Sequence, residues 1–256
     1  MGGFFMHVSF VGAGPGDPEL ITVKGQRLLG EADVIIYAGS LVNPALLSLA
    51  KQGASIYNSA SMTLDEVIEV MEKAVARGEK TVRLHTGDPS IYGAIQEQMD
   101  ALDTKKITYE VIPGVSSFLA TAAALKREYT LPDVSQTVII TRMEGRTPVP
   151  EKEKLASLAS HNATMCIFLS VHMIDNVMKE LMDGGYKEDT PVAIVQKASW
   201  PDQKIVRGTV STIGQIITDA KIDRTAMIVV GRCLDSHYAL SRLYAPEFGH
   251  MYRDAK

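Results

Sequence analysis

Short apolar runs of strand length alternate with segments of helical period along almost the whole chain, and few architectures accept that pattern. A strand apolar on both faces must be covered on both faces, which places it in a sheet between helices. The expected fold class is therefore α/β with largely parallel strands. In the first half, strands are expected at residues 7–11, 34–37, 54–57, 81–84 and 109–112, with helices at 22–30 and 64–76. Within 64–76, Leu64, Val67, Ile68, Met71 and Val75 recur at helical spacing and form one apolar stripe, with Glu66, Glu69, Glu72 and Lys73 elsewhere.

After an Ala-rich helix expected at 117–124, the stretch LKREYTLPDVSQ is charged and then turn-like, and Pro132 interrupts any helix. Two α/β domains are expected to meet there: 1–124 and 125–240, followed by a tail at 241–256 without a readable pattern. Second-half strands are expected at 137–141, 164–169, 191–195, 205–210 and 226–230, with helices at 151–160, 174–182 and 211–220. No helical segment separates 191–195 from 205–210, so these two are expected to be antiparallel neighbours.

Composition narrows the function classes. No run approaches the roughly 18 apolar residues of a membrane helix, and the first ten residues lack the features of a signal peptide, so a cytoplasmic protein is expected. A net charge of −4 and a pI near 5.9 argue against a broad basic face for nucleic acid. Anionic ligands must then be met by a few placed arginines or lysines. Cys166 and Cys233 lie in apolar runs without metal-ligand spacing and read as reduced core residues; no metal site is expected.

The stretch FVGAGPGDPELITVKG follows the first strand and looks at first like a dinucleotide loop. That fingerprint needs a third glycine for close packing of helix on strand, and here Asp17 stands in its place. Pro15 also removes a backbone N–H that a phosphate would use. Asp33 sits near the spacing of a ribose-binding acid, although an Asp between helix and strand is a common solvated turn. The Gly-Asp-Pro step recurs at Gly87-Asp88-Pro89 in LHTGDPSIYG, again after a strand. Asp and Pro together start helical turns well, which is a sufficient structural reason for both aspartates. Position adds a functional reading, because loops at the carboxyl ends of parallel strands are where open α/β sheets bind ligands. VIPGVSSF supplies a third such loop, with Ser116 or Ser117 able to cap the next helix. TRMEGRTPVPE, after the first strand of the second half, reads either as a solvated surface loop or as two arginines, Arg142 and Arg146, suited to bidentate binding of carboxylates.

Taken in order, VGAGPGDPELITVKG, HTGDPSIYG, VIPGVSS, PVAIVQKASWPDQKIVRGTV and AMIVVG resemble the tetrapyrrole (precorrin) methyltransferases, which use S-adenosylmethionine. The resemblance covers about residues 6–235. YAGSLVN, HTGDPSIYGA and TRMEGRTPVPE narrow it to the branch that methylates a ring carbon of a precorrin. It implies two α/β domains with the active site in a cleft between them, usually in a homodimer, with S-adenosylmethionine bound folded rather than stretched over a Rossmann loop. The implied cofactor positions are Pro15, Gly87, Asp88, Ile91, Ser116, Ser117, Leu169, Ala198, Ala226 and Met227. Relatives often have Thr-Ala at Ser116-Ser117 and glycine at Ala198.

Methyl transfer to an electron-rich macrocycle is an in-line displacement that asks the protein mainly for positioning and electrostatics. Asp88, Asp17 and Glu144 are the candidate catalytic carboxylates: Asp88 beside the cationic cofactor, Asp17 and Glu144 for the proton that must leave after methylation. Arg142 and Arg146 are the candidate partners of the substrate's acetate and propionate groups. His85 is expected to be a packed structural histidine. The rival readings are a methyltransferase of the same family for another ring carbon or for uroporphyrinogen III, and a non-enzymatic nucleotide-binding regulator using the glycine loop.

Overall fold

The structure is a computed structural model that describes residues 7–235, 239–241, 245–246, 248–249, 251 and 253–254. The chain folds as two compact units, Met1–Ala120 with Lys197–Asp202, and Thr121–Gln196 with Gln203–Lys256. The passage from one unit to the other and the boundary expected at 124/125 fall in the same helix, Ser117–Leu125. The short segment Lys197–Asp202, far along the sequence, joins the first unit.

The first unit is built on a five-stranded sheet of β1 (Val8–Gly12), β2 (Val34–Tyr37), β3 (Ser55–Asn58), β4 (Thr81–His85) and β5 (Tyr109–Ile112). Its spatial order is β3-β2-β4-β1-β5, and every pairing is parallel. Side chains of β1 alternate between two layers, as the strand period requires. Val8 and Phe10 pack with α2 (Leu64–Ala76) and α3 (Gln96–Thr104), whereas Val11 packs with α1 (Val23–Glu31) on the other face. In α2 the buried positions are Val67, Ile68, Met71 and Ala74, while Leu64 in the first turn stays exposed. Thr63 and Glu66 close a capping box at its start, so two otherwise free backbone N–H groups are satisfied.

This strand order has a switch point. From β1 the chain crosses through α1 toward β2, but from the adjacent β4 it crosses through α3 the opposite way toward β5. The loops leaving β1 and β4 therefore cross one another at the carboxyl ends of these strands, where open α/β sheets bind ligands.

The second unit holds β6 (Val138–Arg142), β7 (Thr164–Phe168), β8 (Pro191–Gln196), β9 (Lys204–Thr209) and β10 (Ala226–Val230) in the order β6-β7-β10-β8-β9. The expectation of largely parallel strands fails here. β6 and β7 are parallel, but β10 inserts antiparallel to both β7 and β8, so the sheet is mixed. Strand direction leaves no trace in apolar periodicity, which is why this was not legible. The expected antiparallel pair β8/β9 is present. Helices α5 (Leu155–Ala159), α6 (Ile174–Asp183) and α7 (Ile213–Asp219) accompany this sheet. α6 inserts Ile174, Val177, Met178 and Leu181 into the core, each side chain contributing roughly 1.5–3 kcal/mol of burial. Cys166 and Cys233 are buried and unbridged, as expected, and burial pushes the Cys166 thiol up to about 12. Among the described residues no helix is long and apolar enough to cross a membrane.

Candidate active site

Three loops of the first unit interlock at the switch point. The Ala13 N–H donates to the His85 carbonyl, and Gly14 and Gly87 exchange backbone hydrogen bonds at 2.8 and 3.3 Å in an isolated bridge. This joins the loops after β1 and β4. Asp88 then ties in the loop after β5: its Oδ2 accepts from the Gly114 N–H at 2.8 Å, and its Oδ1 accepts from the Ser90 N–H. The loops approach so closely that a Cβ on Gly114 would lie 2.1 Å from the Gly87 carbonyl oxygen. Only glycine fits there. Ser116 and Ser117 lie beside Gly87, and the Ser116 carbonyl starts α4 (Ser117–Leu125) by accepting from Leu119 and Ala120.

Pro15, Gly87, Asp88, Ser116 and Ser117 are thus brought together, with Ile91 on the same Gly-Asp-Pro loop. Ala198 joins them through the segment Lys197–Asp202. There the Ser199 hydroxyl accepts from the Asp17 N–H at 3.0 Å, and the Trp200 Nε1–H donates to the Pro15 carbonyl at 2.9 Å. Trp200, the only tryptophan, lies so close that a Cβ on Gly16 would meet its ring at 2.0 Å. Asn43 holds the same loop by donating to the Gly16 carbonyl. Neither Trp200 nor Asn43 was singled out by the sequence, although each lies in a stretch that carries the family resemblance, QKASW and YAGSLVN.

The glycine loop is not a phosphate cradle. Asp17 caps a 3-10 turn, Pro18–Leu20, by accepting from the Glu19 N–H, and α1 starts only later, capped by its own Thr22. Asp33 lies at the opposite, amino end of β2. There it is bound to Lys51 and to the Lys80 N–H, which hold its carboxyl below the usual aspartate range. The dinucleotide reading therefore loses its acid as well as its third glycine.

In the second unit the candidate residues occupy separate loops. Leu169, directly after β7, is 60% exposed with φ near 54°, a conformation that costs an apolar non-glycine residue energy. Ala226 and Met227 begin β10, Met227 buried. Arg142, at the end of β6, turns back on its own loop: its guanidinium donates to the carbonyls of Met143, Thr147 and Pro148. Arg146 and Glu144 lie exposed on that loop, and Arg146 makes no hydrogen bond or ion pair among the described residues. A surface depression of about 520 Å³ between α6 and α7 contains none of the predicted site residues. Among the described residues no cluster of His, Cys, Asp or Glu is placed to hold a metal.

Residues 7–214 match the family model of Tetrapyrrole (Corrin/Porphyrin) Methylases, and the chain belongs to that family. Within it, the chain is 62% identical over 247 residues to the cobalt-precorrin-4 C(11)-methyltransferase of Methanocaldococcus jannaschii, covering 96% of this chain and 95% of the relative. Among solved structures, a cobalt precorrin-4 methyltransferase of cobalamin biosynthesis superposes with a TM-score of 0.88 at 50% identity, covering 89% and 95% of the two chains. The uroporphyrin-III C-methyltransferase of Thermus thermophilus, solved with S-adenosyl homocysteine, superposes with a TM-score of 0.72 at 28% identity and covers 90% and 93%.

Proposed function

We propose that this chain is a C-methyltransferase that uses S-adenosylmethionine to methylate C11 of cobalt-precorrin-4 in the building of the corrin ring. The observation that carries the reading is near full-length 62% identity to a cobalt-precorrin-4 C(11)-methyltransferase, together with interlocked glycine loops at the switch point of the parallel sheet.

S-adenosylmethionine, when bound, supplies an electrophilic methyl group on a sulfonium. The first-unit loops suit such a cation better than a pyrophosphate, since Asp17 stands at the phosphate position and the helix N-terminus behind it is already capped. In this reading Pro15, Gly87, Ile91, Ser116, Ser117 and Ala198 shape the cofactor's place, and Asp88 fixes two of the loops while keeping lone pairs free to accept. Leu169, Ala226 and Met227 are further cofactor positions by resemblance, and the strained, exposed Leu169 fits a residue held for contact rather than for the core. Arg146 is free to meet a substrate carboxylate. Arg142 instead holds the loop that carries it. Asp17 and Glu144 stay candidates for proton removal.

Calorimetry with S-adenosylhomocysteine and, separately, NAD tests the cofactor. Micromolar binding of the first and none of the second is expected; the reverse result abolishes the methyltransferase reading in favour of a nucleotide-binding regulator. Mass spectrometry of products from cobalt-precorrin-4 and from metal-free precorrin-4 tests the substrate, with gain of one methyl group expected faster on the cobalt form.

A further inference from the structure

β4 carries a buried polar column on the face that α3 covers. Thr81, Arg83 and His85 alternate along it, all buried, with Arg83 only 6% and His85 3% exposed. Arg83 donates from Nε to the Gln98 Oε1 at 3.0 Å and from Nη1 to the Ile36 carbonyl at 3.2 Å, both neutral acceptors. Among the described residues no carboxylate lies within ion-pair distance of it. Two residues along the same face, the buried His85 Nε2 has no hydrogen-bond partner.

A buried guanidinium without a counter-charge is costly, and so is a buried imidazole nitrogen without a partner. Here the two groups lie two residues apart on one face of β4, with His85 at the carboxyl end of the strand, and together they offer hydrogen-bond donors suited to an anion. The segment over them has unusual backbone: Tyr92 and Ala94 are left-handed, and Gly93 lies where a Cβ would be 2.1 Å from the Pro89 carbonyl oxygen. Gln98 links this roof to Arg83 by donating to the Ala94 carbonyl.

We propose that Arg83 and His85, with Gln98 tying the 88–95 segment to Arg83, form a carboxylate subsite that takes one acidic side chain of the tetrapyrrole. The subsite rests on the proposed function for the identity of the anion. Arg83 binds the carboxylate through Nη2, the guanidinium nitrogen that neither Gln98 nor the Ile36 carbonyl uses, and His85, in the neutral tautomer with its proton on Nε2, donates the second hydrogen bond. Both groups remain in their present charge state; only their hydrogen-bonding capacity is filled.

The test is Arg83→Met, which keeps length and apolar bulk while deleting the charge. The expected result is a ligand-free thermal midpoint equal to or above that of the wild type, a KM for cobalt-precorrin-4 raised at least tenfold, and an S-adenosylhomocysteine Kd within twofold. A KM within twofold of the wild type overturns the subsite, as does parallel loss of both ligands. If Arg83→Met fails to fold, Arg83→Lys decides: several-fold weaker tetrapyrrole binding at unchanged S-adenosylhomocysteine affinity supports the subsite, and wild-type affinity for both overturns it. Failure of the proposed function would show in the wild type, as absence of methyl transfer, whereas failure of the subsite shows only in the variants.

Discussion

The loops of the first unit and the loop after β6 in the second solve the same problem in opposite ways. The first-unit loops hold one another through backbone bonds between Gly14 and Gly87, through Asp88, and through approaches so close that only glycine fits. The loop from Met143 to Pro150 is mostly exposed and is gathered chiefly by Arg142, reaching three carbonyls, with the Ser170 hydroxyl accepting from the Met143 N–H and one backbone bond from Gly145 to Thr147. A loop held by backbone on all sides is preorganised and intolerant of change. A loop held chiefly by one guanidinium keeps its shape while leaving Arg146 and Glu144 to the solvent. The contrast fits a rigid place for an invariant cofactor and an adaptable one for a substrate with many carboxylates.

The sharpest way to break the first arrangement is Gly114→Ala. Its Cβ would lie 2.1 Å from the Gly87 carbonyl and 2.8 Å from the Gly12 Cα, both backbone, so no side chain can move aside. The expected cost is at or above the upper end of the roughly 1–3 kcal/mol typical of overpacking, with a lower thermal midpoint and loss of S-adenosylhomocysteine binding. Thermal scans and calorimetry on the same sample check it. Asp88→Ala removes two charge-assisted hydrogen bonds without adding bulk and should cost about 2–3 kcal/mol. Cofactor binding is expected to weaken with it. Normal cofactor affinity in a destabilised Asp88→Ala would separate the loop's stability from its function.

Beneath those loops, His85 makes stability depend on pH. Burial, aided by the neighbouring Arg83, lowers its pKa from 6.5 to about 3. Below 6.5 the unfolded chain takes up a proton that the folded chain refuses until about 3, so the contribution is complete above 6.5 and falls as pH drops through that window, by up to about 1.4 kcal/mol per pH unit. Denaturant unfolding of His85→Leu between pH 4 and 7 should show a flatter slope than the wild type; an equal slope would mean that this histidine is not held neutral.

Much of this was legible in the sequence, for identifiable reasons. The bounds of β2, β5, β10 and α2 match their patterns, because in each a run of β-branched or periodic apolar residues meets a polar boundary. The nearness of the Gly-Asp-Pro loops followed from placing both after parallel strands. α3 was missed because QEQMDALDT has a weak apolar stripe and buries a glutamine, Gln98, rather than a leucine at its first inward position. Arg83 was missed for a related reason. Thr-Val-Arg-Leu-His alternates like a strand with one wet face, yet both faces of β4 are covered, so its polar residues lie inside. The role of Trp200 depends on the excursion of Lys197–Asp202 into the first unit, a long-range approach that no local pattern announces.

The second arrangement is broken more gently, and the two arginines of the loop after β6 should respond differently. Arg142→Ala frees three carbonyls that water can reach, so the stability loss should stay near 1 kcal/mol, while proteolytic cleavage within 143–150 becomes faster and the KM for the tetrapyrrole rises. Arg146→Ala removes an exposed side chain that has no hydrogen-bond or ion-pair partner among the described residues, so stability should stay within about 0.5 kcal/mol of the wild type and proteolysis should not change. The tetrapyrrole KM should nevertheless rise far more than the S-adenosylhomocysteine Kd. Comparing proteolysis with KM in the two variants separates holding the loop from contacting the ligand: faster cleavage in Arg146→Ala would make it a second holder, and an unchanged KM would leave the loop without a part in substrate binding.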